Sequence, residues 1–236
     1  MEKYKVIANA VRKKIIEGEY VSEQKLPSEK EMGDAFDASK LTIKKAIDIL
    51  VAEGLIIKRR GAGTFVKSLS VDEMERLIID NQMTGTTAFN PDKTVTSKVL
   101  DFSIIPASAL VAEKLNISEG EYVYEIYRVR LVDERPSVIE KTYMPVEVIP
   151  GLKRLHVEHS IYDYIEEGLK LKIQSGHRTI KVRKATDVEV NELSLKHGDP
   201  VGIAEQIGYL DTGVRFEYSI SAHRYDQFSV EMMVTH

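Results

Sequence analysis

Residues 26–66 read LPSEKEMGDAFDASKLTIKKAIDILVAEGLIIKRRGAGTFV, and this stretch decides the fold of the front of the chain. Ser28 and Glu31 have the spacing of a capping box, which predicts a short helix from there to about Phe36. Ser39 can cap a further helix. The apolar residues of that helix recur at the spacing of one buried stripe: Ile43, Ala46, Ile47 and Leu50. The pattern therefore predicts two consecutive capped helices.

A hairpin and one more helix flank this pair. Gly54 ends the second capped helix, and residues 55–58 and 64–66 then form two short β-branched runs around a glycine-containing turn. Arg59 and Arg60 lie at the tip of the predicted hairpin. Upstream, residues 4–17 repeat apolar side chains at helical spacing. Three helices followed by a basic hairpin predict a winged helix-turn-helix domain over residues 1–68.

The cationic face of the third helix favours nucleic-acid binding by this domain. Lys40, Lys44 and Lys45 project away from the buried stripe, so that the helix can enter a major groove. Arg59 and Arg60 can reach phosphates or the minor groove. The alternative is a small helical subdomain with a solvated basic face.

Charge is distributed unevenly along the chain. The whole sequence has 33 Lys and Arg against 37 Asp and Glu, a net charge of −4. Residues 1–68 hold 14 and 10 of these, a net of +4, so that residues 69–236 carry −8. A basic unit joined to a larger acidic unit indicates that the front of the chain meets a polyanion, although sampling alone could produce this difference.

The segments LPSEKEM, ASKLTIKKAIDILVAEGLI and RRGAGTFV resemble the DNA-binding domain of the GntR family of bacterial transcription regulators, over about residues 3–67. The resemblance implies that Lys30, Lys40 and Lys44 stand where the family more often has guanine-reading arginines. Lysine can still donate to guanine, as a point charge rather than a planar fork. The DNA-binding residues that we predict are Ser28, Lys30, Ser39, Lys40, Leu41, Thr42, Lys44, Arg59, Arg60 and Gly61.

A linker and a second domain follow. Residues 69–94 form the predicted linker, with helical character up to residue 82 and a Gly-, Thr-, Asn- and Pro-rich stretch over 83–93. Residues 95–236 alternate strands with short helices at 107–116, 160–169 and 187–195, and the last predicted strand covers 214–233. This pattern predicts an α+β domain with an antiparallel sheet and flanking helices.

The second domain resembles the UTRA effector domain of the HutC subfamily, whose fold is similar to that of chorismate lyase. The resemblance rests on YRVR at 127–130, SIY at 160–162, EYS at 217–219 and HRYD at 223–226. It implies a homodimer on a pseudo-palindromic double-stranded DNA operator and a small-molecule effector. Repressors of sugar operons are the most similar type, which implies a phosphorylated sugar as effector. The alternatives are a non-sugar metabolite, no effector at all, or an enzyme on this scaffold.

Arg128 and Arg130 share one face of the strand over 122–131, and two buried arginines need partners. An anionic ligand such as a sugar phosphate would satisfy them, as would Glu140 or Glu217 from within the chain. Ser160 is either an anion ligand or an ordinary helix cap. The effector-binding residues that we predict are Arg128, Arg130, Glu140, Ser160, Tyr162, Glu217 and His223. Relatives that bind amino-sugar phosphates often have tyrosine at position 223, so His223 makes that ligand doubtful.

Other classes of site find little support in the sequence. The chain has no Cys, and His156 and His159 have no third ligand nearby, so that we predict no metal site and no cofactor apart from the effector. Neither a nucleophile motif nor a phosphate-binding loop is present, so that we predict no enzyme activity. The sequence contains neither a signal-peptide core nor an apolar run of membrane-spanning length. We therefore expect a cytoplasmic protein without a membrane partner.

Overall fold

The computed structural model describes residues 2–68, 86–87, 90 and 92–230. The chain divides into two compact units, one of residues 1–82 with 230–236 and the other of residues 83–229. Residues 69–85 lie outside the described residues, and the helical stretch predicted up to residue 82 is among them.

The N-terminal unit is the predicted three-helix domain with a hairpin. Its elements are α1 (Lys3–Ile16), α2 (Glu29–Phe36), α3 (Lys40–Ala52), β1 (Ile56–Arg59) and β2 (Gly63–Val66). The predicted stripe of α3 is buried, and it packs with Ile7, Val11 and Ile15 of α1. Arg12 of α1 donates to Glu53 after α3 at 2.9 and 2.5 Å, with both side chains largely buried. The apolar faces and this ion pair fix α3 on α1.

Side chains cap the N-termini of α2 and α3, as predicted. Glu31 donates its backbone N–H to the Ser28 hydroxyl at 3.2 Å, and Ser28 donates its N–H to the Glu31 carboxylate at 2.7 Å. Asp37 takes the left-handed conformation at φ 46°, which separates α2 from α3. Ser39 then accepts the N–H of Thr42 at 3.3 Å. These contacts set where α2 and α3 begin, and so which side chains their first turns present.

The C-terminal unit is built on one antiparallel six-stranded sheet. Its strands are β3 (Val95–Pro106), β4 (Tyr122–Val132), β5 (Arg135–Pro145), β6 (Ile173–Lys184), β7 (Pro200–Leu210) and β8 (Arg215–Arg224), in the spatial order β3-β4-β5-β8-β7-β6. Its helices are α4 (Ala109–Leu115), α5 (Arg154–Glu158), α6 (Ile161–Asp163) and α7 (Asp187–Glu192), with a π-helical turn at Tyr164–Gly168. The α+β prediction is confirmed.

Helices cover both faces of this sheet. Tyr124 and Ile126 of β4 pack with Val157 and Ile161 of α5 and α6 on one face. Val123, which points the other way along the same strand, packs with α4. A third apolar cluster around Leu193 and Val201 covers the α4 side farther along. The face that carries α5 and α6 is the one that bears the polar side chains described below.

Some element boundaries differ from the prediction. The last strand ends at Arg224 and not at residue 233, because the chain turns and Phe228 stacks on His223 with ring centroids 4.5 Å apart. Gly202 makes room for this ring, since a Cβ there would lie 2.2 Å from Phe228. The helix predicted at 160–169 is α-helical over Ile161–Asp163 and then widens into the π-helical turn. Helix α5 was missed by the sequence pattern.

Candidate nucleic-acid interface and effector pocket

The first turns of α2 and α3 present three lysines to solvent. Lys30, Lys40 and Lys44 are exposed, and none makes a hydrogen bond or ion pair with any residue that the structure describes. Leu41 beside them is 64% exposed. The surface formed by these four residues and the hairpin tip is called the reading surface below. Its lysines are free to contact a polyanion.

The three hydroxyls predicted to meet DNA have local partners. Ser28 and Ser39 are occupied as helix caps, and the hydroxyls of Ser39 and Thr42 lie 2.8 Å apart. They hold the helix starts in place in this structure. A backbone or phosphate contact by them would use their remaining lone pairs or hydrogens.

A groove of about 1140 Å³ runs between the starts of α2 and α3 and the hairpin turn. It brings together five of the predicted DNA-binding residues: Ser28, Lys30, Ser39, Lys40 and Gly61. Leu41, Thr42, Lys44, Arg59 and Arg60 do not line it. Asp34 and Asp37 also line it, so that the groove is not purely basic.

The two hairpin arginines differ in their surroundings. The Arg59 guanidinium lies 4.5 Å from the centroid of the Phe65 ring, and its nearest carboxylate is that of Glu23 at 3.9 Å. Arg60 makes no such contact with the described residues. Gly61 after it has φ +72°, a conformation that favours glycine. Arg60 is therefore the more available of the two.

Sequence reasoning missed Lys25 at the base of the hairpin. This residue lines the groove, and its Cε would lie 2.8 Å from a Cβ on Gly63. Gly63 has φ +119°, a backbone conformation that favours glycine, whereas the end of the Lys25 side chain could move aside. Lys25 thus adds a third lysine to the groove, beside Lys30 and Lys40.

In the C-terminal unit, Arg128 is neutralised from within the chain. Its Nε donates to Glu140 at 2.9 Å, and its Nη1 donates to the carbonyl of Val157 at 2.6 Å. The side chains are directly opposite each other on β4 and β5. Of the two alternatives that the sequence left open for Arg128, internal pairing with Glu140 is the one present in this structure.

Arg130 is the more deeply buried arginine, 1% exposed. It donates to the Ser97 hydroxyl at 2.9 Å, the carbonyl of His159 at 2.5 Å and the Thr87 hydroxyl at 2.5 Å. Its Nε has no hydrogen-bond partner among the described residues. Burial, together with the charge of Arg128, lowers the pKa of Arg130 to about 10, so that it is still a cation at neutral pH.

Glu140 balances both arginines. Burial by itself would raise its pKa, but Arg128, Arg130 and a hydrogen bond from the Thr86 hydroxyl at 2.7 Å bring the pKa below its ordinary value. One carboxylate therefore pairs directly with Arg128 and also acts through its charge on Arg130.

Glu217 has different partners from those we considered. It accepts hydrogen bonds from Tyr162 at 2.8 Å, Ser219 at 2.6 Å and Gln206 at 3.2 Å. The alternative of internal pairing between Glu217 and Arg128 is wrong, since Arg128 pairs with Glu140. Burial raises the pKa of Glu217 in spite of its three donors, and burial beside Glu217 raises the pKa of Tyr162 well above its ordinary value.

Ser160 and His223 complete the predicted pocket set. The Ser160 hydroxyl accepts the N–H of Asp163 at 3.2 Å, the ordinary cap that the sequence left as an alternative. His223 is stacked on Phe228, and burial lowers its pKa to about 4, so that it is uncharged at neutral pH.

Several pocket residues escaped the sequence analysis. Thr86 and Thr87 lie in the predicted linker, and nothing in their sequence pattern links them to Glu140 and Arg130. Ser97, Gln206 and Ser219 could have been found from the register, because Ser97 is opposite Arg130, and Gln206 is opposite Ser219. The structure thus places seven predicted residues and these five on one side of the sheet.

Within the described residues, no group of three or more His, Asp or Glu side chains could hold a metal ion. No helix there is long and apolar enough to span a bilayer.

Comparison with known proteins assigns the chain to a family. Residues 3–66 match the bacterial regulatory proteins of the gntR family, and residues 92–229 match the UTRA domain. The HTH-type transcriptional regulator GmuR of Bacillus subtilis is 39% identical over 98% of this chain and 97% of its own length. The mannosyl-D-glycerate transport/metabolism system repressor MngR of Escherichia coli is 30% identical over 98% of this chain and 95% of its own length.

A solved structure agrees over the full length. The possible transcriptional regulator YydK of Bacillus subtilis superposes with a TM-score of 0.81 at 29% identity, over 98% of this chain and 99% of that one. Because these relatives are regulators, the alternative of an enzyme on this scaffold is set aside. The chain belongs to the GntR family of bacterial transcription regulators, with an N-terminal DNA-binding domain and a C-terminal UTRA effector domain.

Proposed function

We propose that this regulator represses a carbohydrate-utilisation operon and that a phosphorylated sugar bound in the UTRA domain relieves the repression. The observation that carries the effector is the buried Nε of Arg130, which has no partner among the described residues. A buried, unpaired donor on a cation costs free energy that an anionic ligand would recover. The similarity to a repressor of mannosyl-D-glycerate metabolism supports a sugar-derived effector.

The reading surface binds the operator in this proposal. Lys30, Lys40 and Lys44 would donate to guanines or phosphates in the major groove, and Arg60 would reach the minor groove. The capped serines Ser28 and Ser39 hold the helix starts that place the lysines. The serine hydroxyls bond backbone N–H groups, while the lysine side chains make no hydrogen bond or ion pair with the described residues, which favours this division of roles.

The regulator would act as a homodimer in the bacterial cytoplasm. Two copies present two reading surfaces, whose separation sets the spacing of a pseudo-palindromic operator. Both edges of the six-stranded sheet, β3 and β6, offer unpaired backbone groups in a single chain, and pairing of one edge with a second copy would join the UTRA domains. Effector binding would shift the population between two arrangements of the reading surfaces.

The DNA half of the proposal is tested by fluorescence anisotropy on the protein's own upstream promoter DNA at two salt concentrations. Lys44→Ala should weaken binding about tenfold. Lys45→Ala is the control on the same helix and should change binding little, since the Lys45 ammonium lies 5.5 Å from the centroid of the Tyr4 ring on α1. Affinity should fall steeply with salt for both. Equal binding to promoter and random DNA would contradict sequence-specific recognition.

The effector half is tested by thermal shift against phosphorylated sugars and their unphosphorylated parents. A ligand that binds only the folded protein raises the melting temperature. We expect stabilisation by one phosphorylated sugar and none by its parent, with the effect lost in Arg130→Lys, which keeps the charge but not the guanidinium. Stabilisation by the parent sugar alone would indicate a non-sugar-phosphate effector, and no stabilisation by any compound would indicate a regulator without this class of effector.

A further inference from the structure

A third arginine faces the pocket from the far edge of the sheet. Arg178 on β6 is directly opposite Gln206 on β7, which is opposite Ser219 on β8. Directly opposite residues in an antiparallel pair lie on the same face of the sheet. Arg178 therefore shares the face of Glu217 and Tyr162, although the proposed anion site at Arg130 does not use it.

The guanidinium of Arg178 is oriented but not neutralised. Its Nε donates to Gln206 Oε1 at 2.8 Å. The amide of Gln206 in turn donates to Glu217 at 3.2 Å and lies 3.4 Å from the Tyr162 hydroxyl. Gln206 is thus placed between the arginine and the carboxylate, and Arg178 makes no ion pair with any residue in the described part of the chain.

Arg183 on the same strand makes the kind of two-pronged ion pair that Arg178 lacks among the described residues. Its two terminal nitrogens donate to the two oxygens of Glu189, each at 2.6 Å, on the opposite face. The terminal nitrogens of Arg178 have no hydrogen-bond acceptor among the described residues. Two parallel N–H donors with fixed geometry match a carboxylate or phosphate.

The two cationic positions lie at opposite ends of one polar face. In the order β4-β5-β8-β7-β6, Arg130 and Arg178 are four strands apart, which is roughly 19 Å across the sheet at about 4.8 Å per strand. The register aligns Arg178 with Ile126, four residues and roughly 13 Å along β4 from Arg130, so that the two backbones are roughly 23 Å apart. Gln206 and Ser219 lie on the strands between them. A ligand held at Arg130 by one anionic group would extend toward Arg178 with its other end.

We propose that Arg178 is a second anion subsite, so that the effector is a phosphorylated sugar with an additional acidic group at the end remote from its phosphate. The phosphate would occupy the Arg130 end and the second acid would accept the two terminal N–H groups of Arg178. Gln206 is the positioning residue that fixes the guanidinium. This inference rests on the proposed function of the Arg130 site.

The test uses two pairs of probes whose members differ only at the end opposite the phosphate. Glucose 6-phosphate is compared with 6-phosphogluconate, and cellobiose 6′-phosphate with its oxidised aldonic acid. Isothermal titration calorimetry on the full-length protein should give at least about tenfold tighter binding of the acid in one pair. Arg178→Gln should remove that preference and leave the affinity for the neutral-ended member unchanged within about twofold.

Lys181→Gln is the matched control, because it removes one positive charge from the opposite face of the same strand, where Lys181 pairs with Glu205 at 3.1 Å. It should keep the preference. Equal affinity for both members of each pair, or a preference that survives Arg178→Gln, would overturn the second subsite while the sugar-phosphate effector stands. If none of the four probes binds, the effector proposal itself fails and this inference fails with it.

Discussion

The carboxylate of Glu140 should be a large single contribution to the stability of the UTRA domain. It lies opposite Arg128, and the charge of Arg130 also acts on it. It accepts hydrogen bonds from Arg128 and Thr86, and both members of the Arg128–Glu140 ion pair are largely buried. Breaking a buried pair by removing one partner costs roughly 3–5 kcal/mol, because the other charge is left buried and uncompensated. Glu140→Gln retains an acceptor for Arg128, so that we expect a loss of about 3 kcal/mol.

Differential scanning calorimetry on the full chain measures this loss. For a domain of this size, about 3 kcal/mol corresponds to a fall in melting temperature of roughly 6–12 °C. Glu192→Gln is the matched control, since Glu192 pairs with exposed Lys98 at 2.7 Å and surface pairs contribute less than about 1 kcal/mol.

A double-mutant cycle identifies the cause. Arg128→Met alone leaves Glu140 beside Arg130, and the double variant Arg128→Met with Glu140→Gln leaves neither member of the pair. We expect the two single losses to exceed the loss in the double variant by at least about 1 kcal/mol. Two outcomes would refute the importance of this pair: single-variant losses that add up to the double-variant loss within about 0.5 kcal/mol, or equal melting temperatures for Glu140→Gln and Glu192→Gln.

Three further predictions use other contacts. Ser28→Ala removes the capping box of α2 and should lower the stability of the DNA-binding domain by about 1 kcal/mol in calorimetry, whereas Ser22→Ala should stay within about 0.5 kcal/mol of the parent. The pKa of Glu140 is lowered on folding, so that its stabilisation is complete above its ordinary pKa and is lost as the pH falls through the folded value. The stability difference between the parent and Glu140→Gln should therefore shrink from pH 7 toward pH 3, measured by the same calorimetry. A constant difference would contradict this prediction. Thr87→Val removes an acceptor of buried Arg130 and should cost about 1–3 kcal/mol, measured by the same calorimetry, while a neutral outcome would show that this hydroxyl is not needed.

The DNA-binding domain was predictable because its signals are local. The capping box at Ser28, the cap at Ser39 and the apolar stripe of α3 each depend on residues within one or two turns, and each is confirmed. The strands of the UTRA domain were also predictable from alternation, apart from their ends. The strand predicted to residue 233 stops at Arg224 because Phe228 stacks on His223, a contact that no periodicity contains.

The pocket was predicted only in outline because its partners are distant in sequence. The even positions of β4 correctly placed Arg128 and Arg130 on one face, and both donate to the His159 carbonyl. The internal partner of Arg128 could be named as a candidate, since Glu140 is on the next strand. The contacts of Thr87 with Arg130 and of Gln206 with Arg178 depend on register and chain reversal, so sequence alone left them out.

We propose that DNA binding and effector binding oppose each other in one protein, and thermodynamic linkage between the two ligands tests this most directly. The affinity for promoter DNA is measured with and without a saturating phosphorylated sugar, and the affinity for that sugar is measured with and without saturating promoter DNA. We predict that each ligand weakens the other by the same factor, between about 5-fold and 150-fold. An affinity for promoter DNA that is unchanged when the sugar phosphate is fully bound would contradict the account.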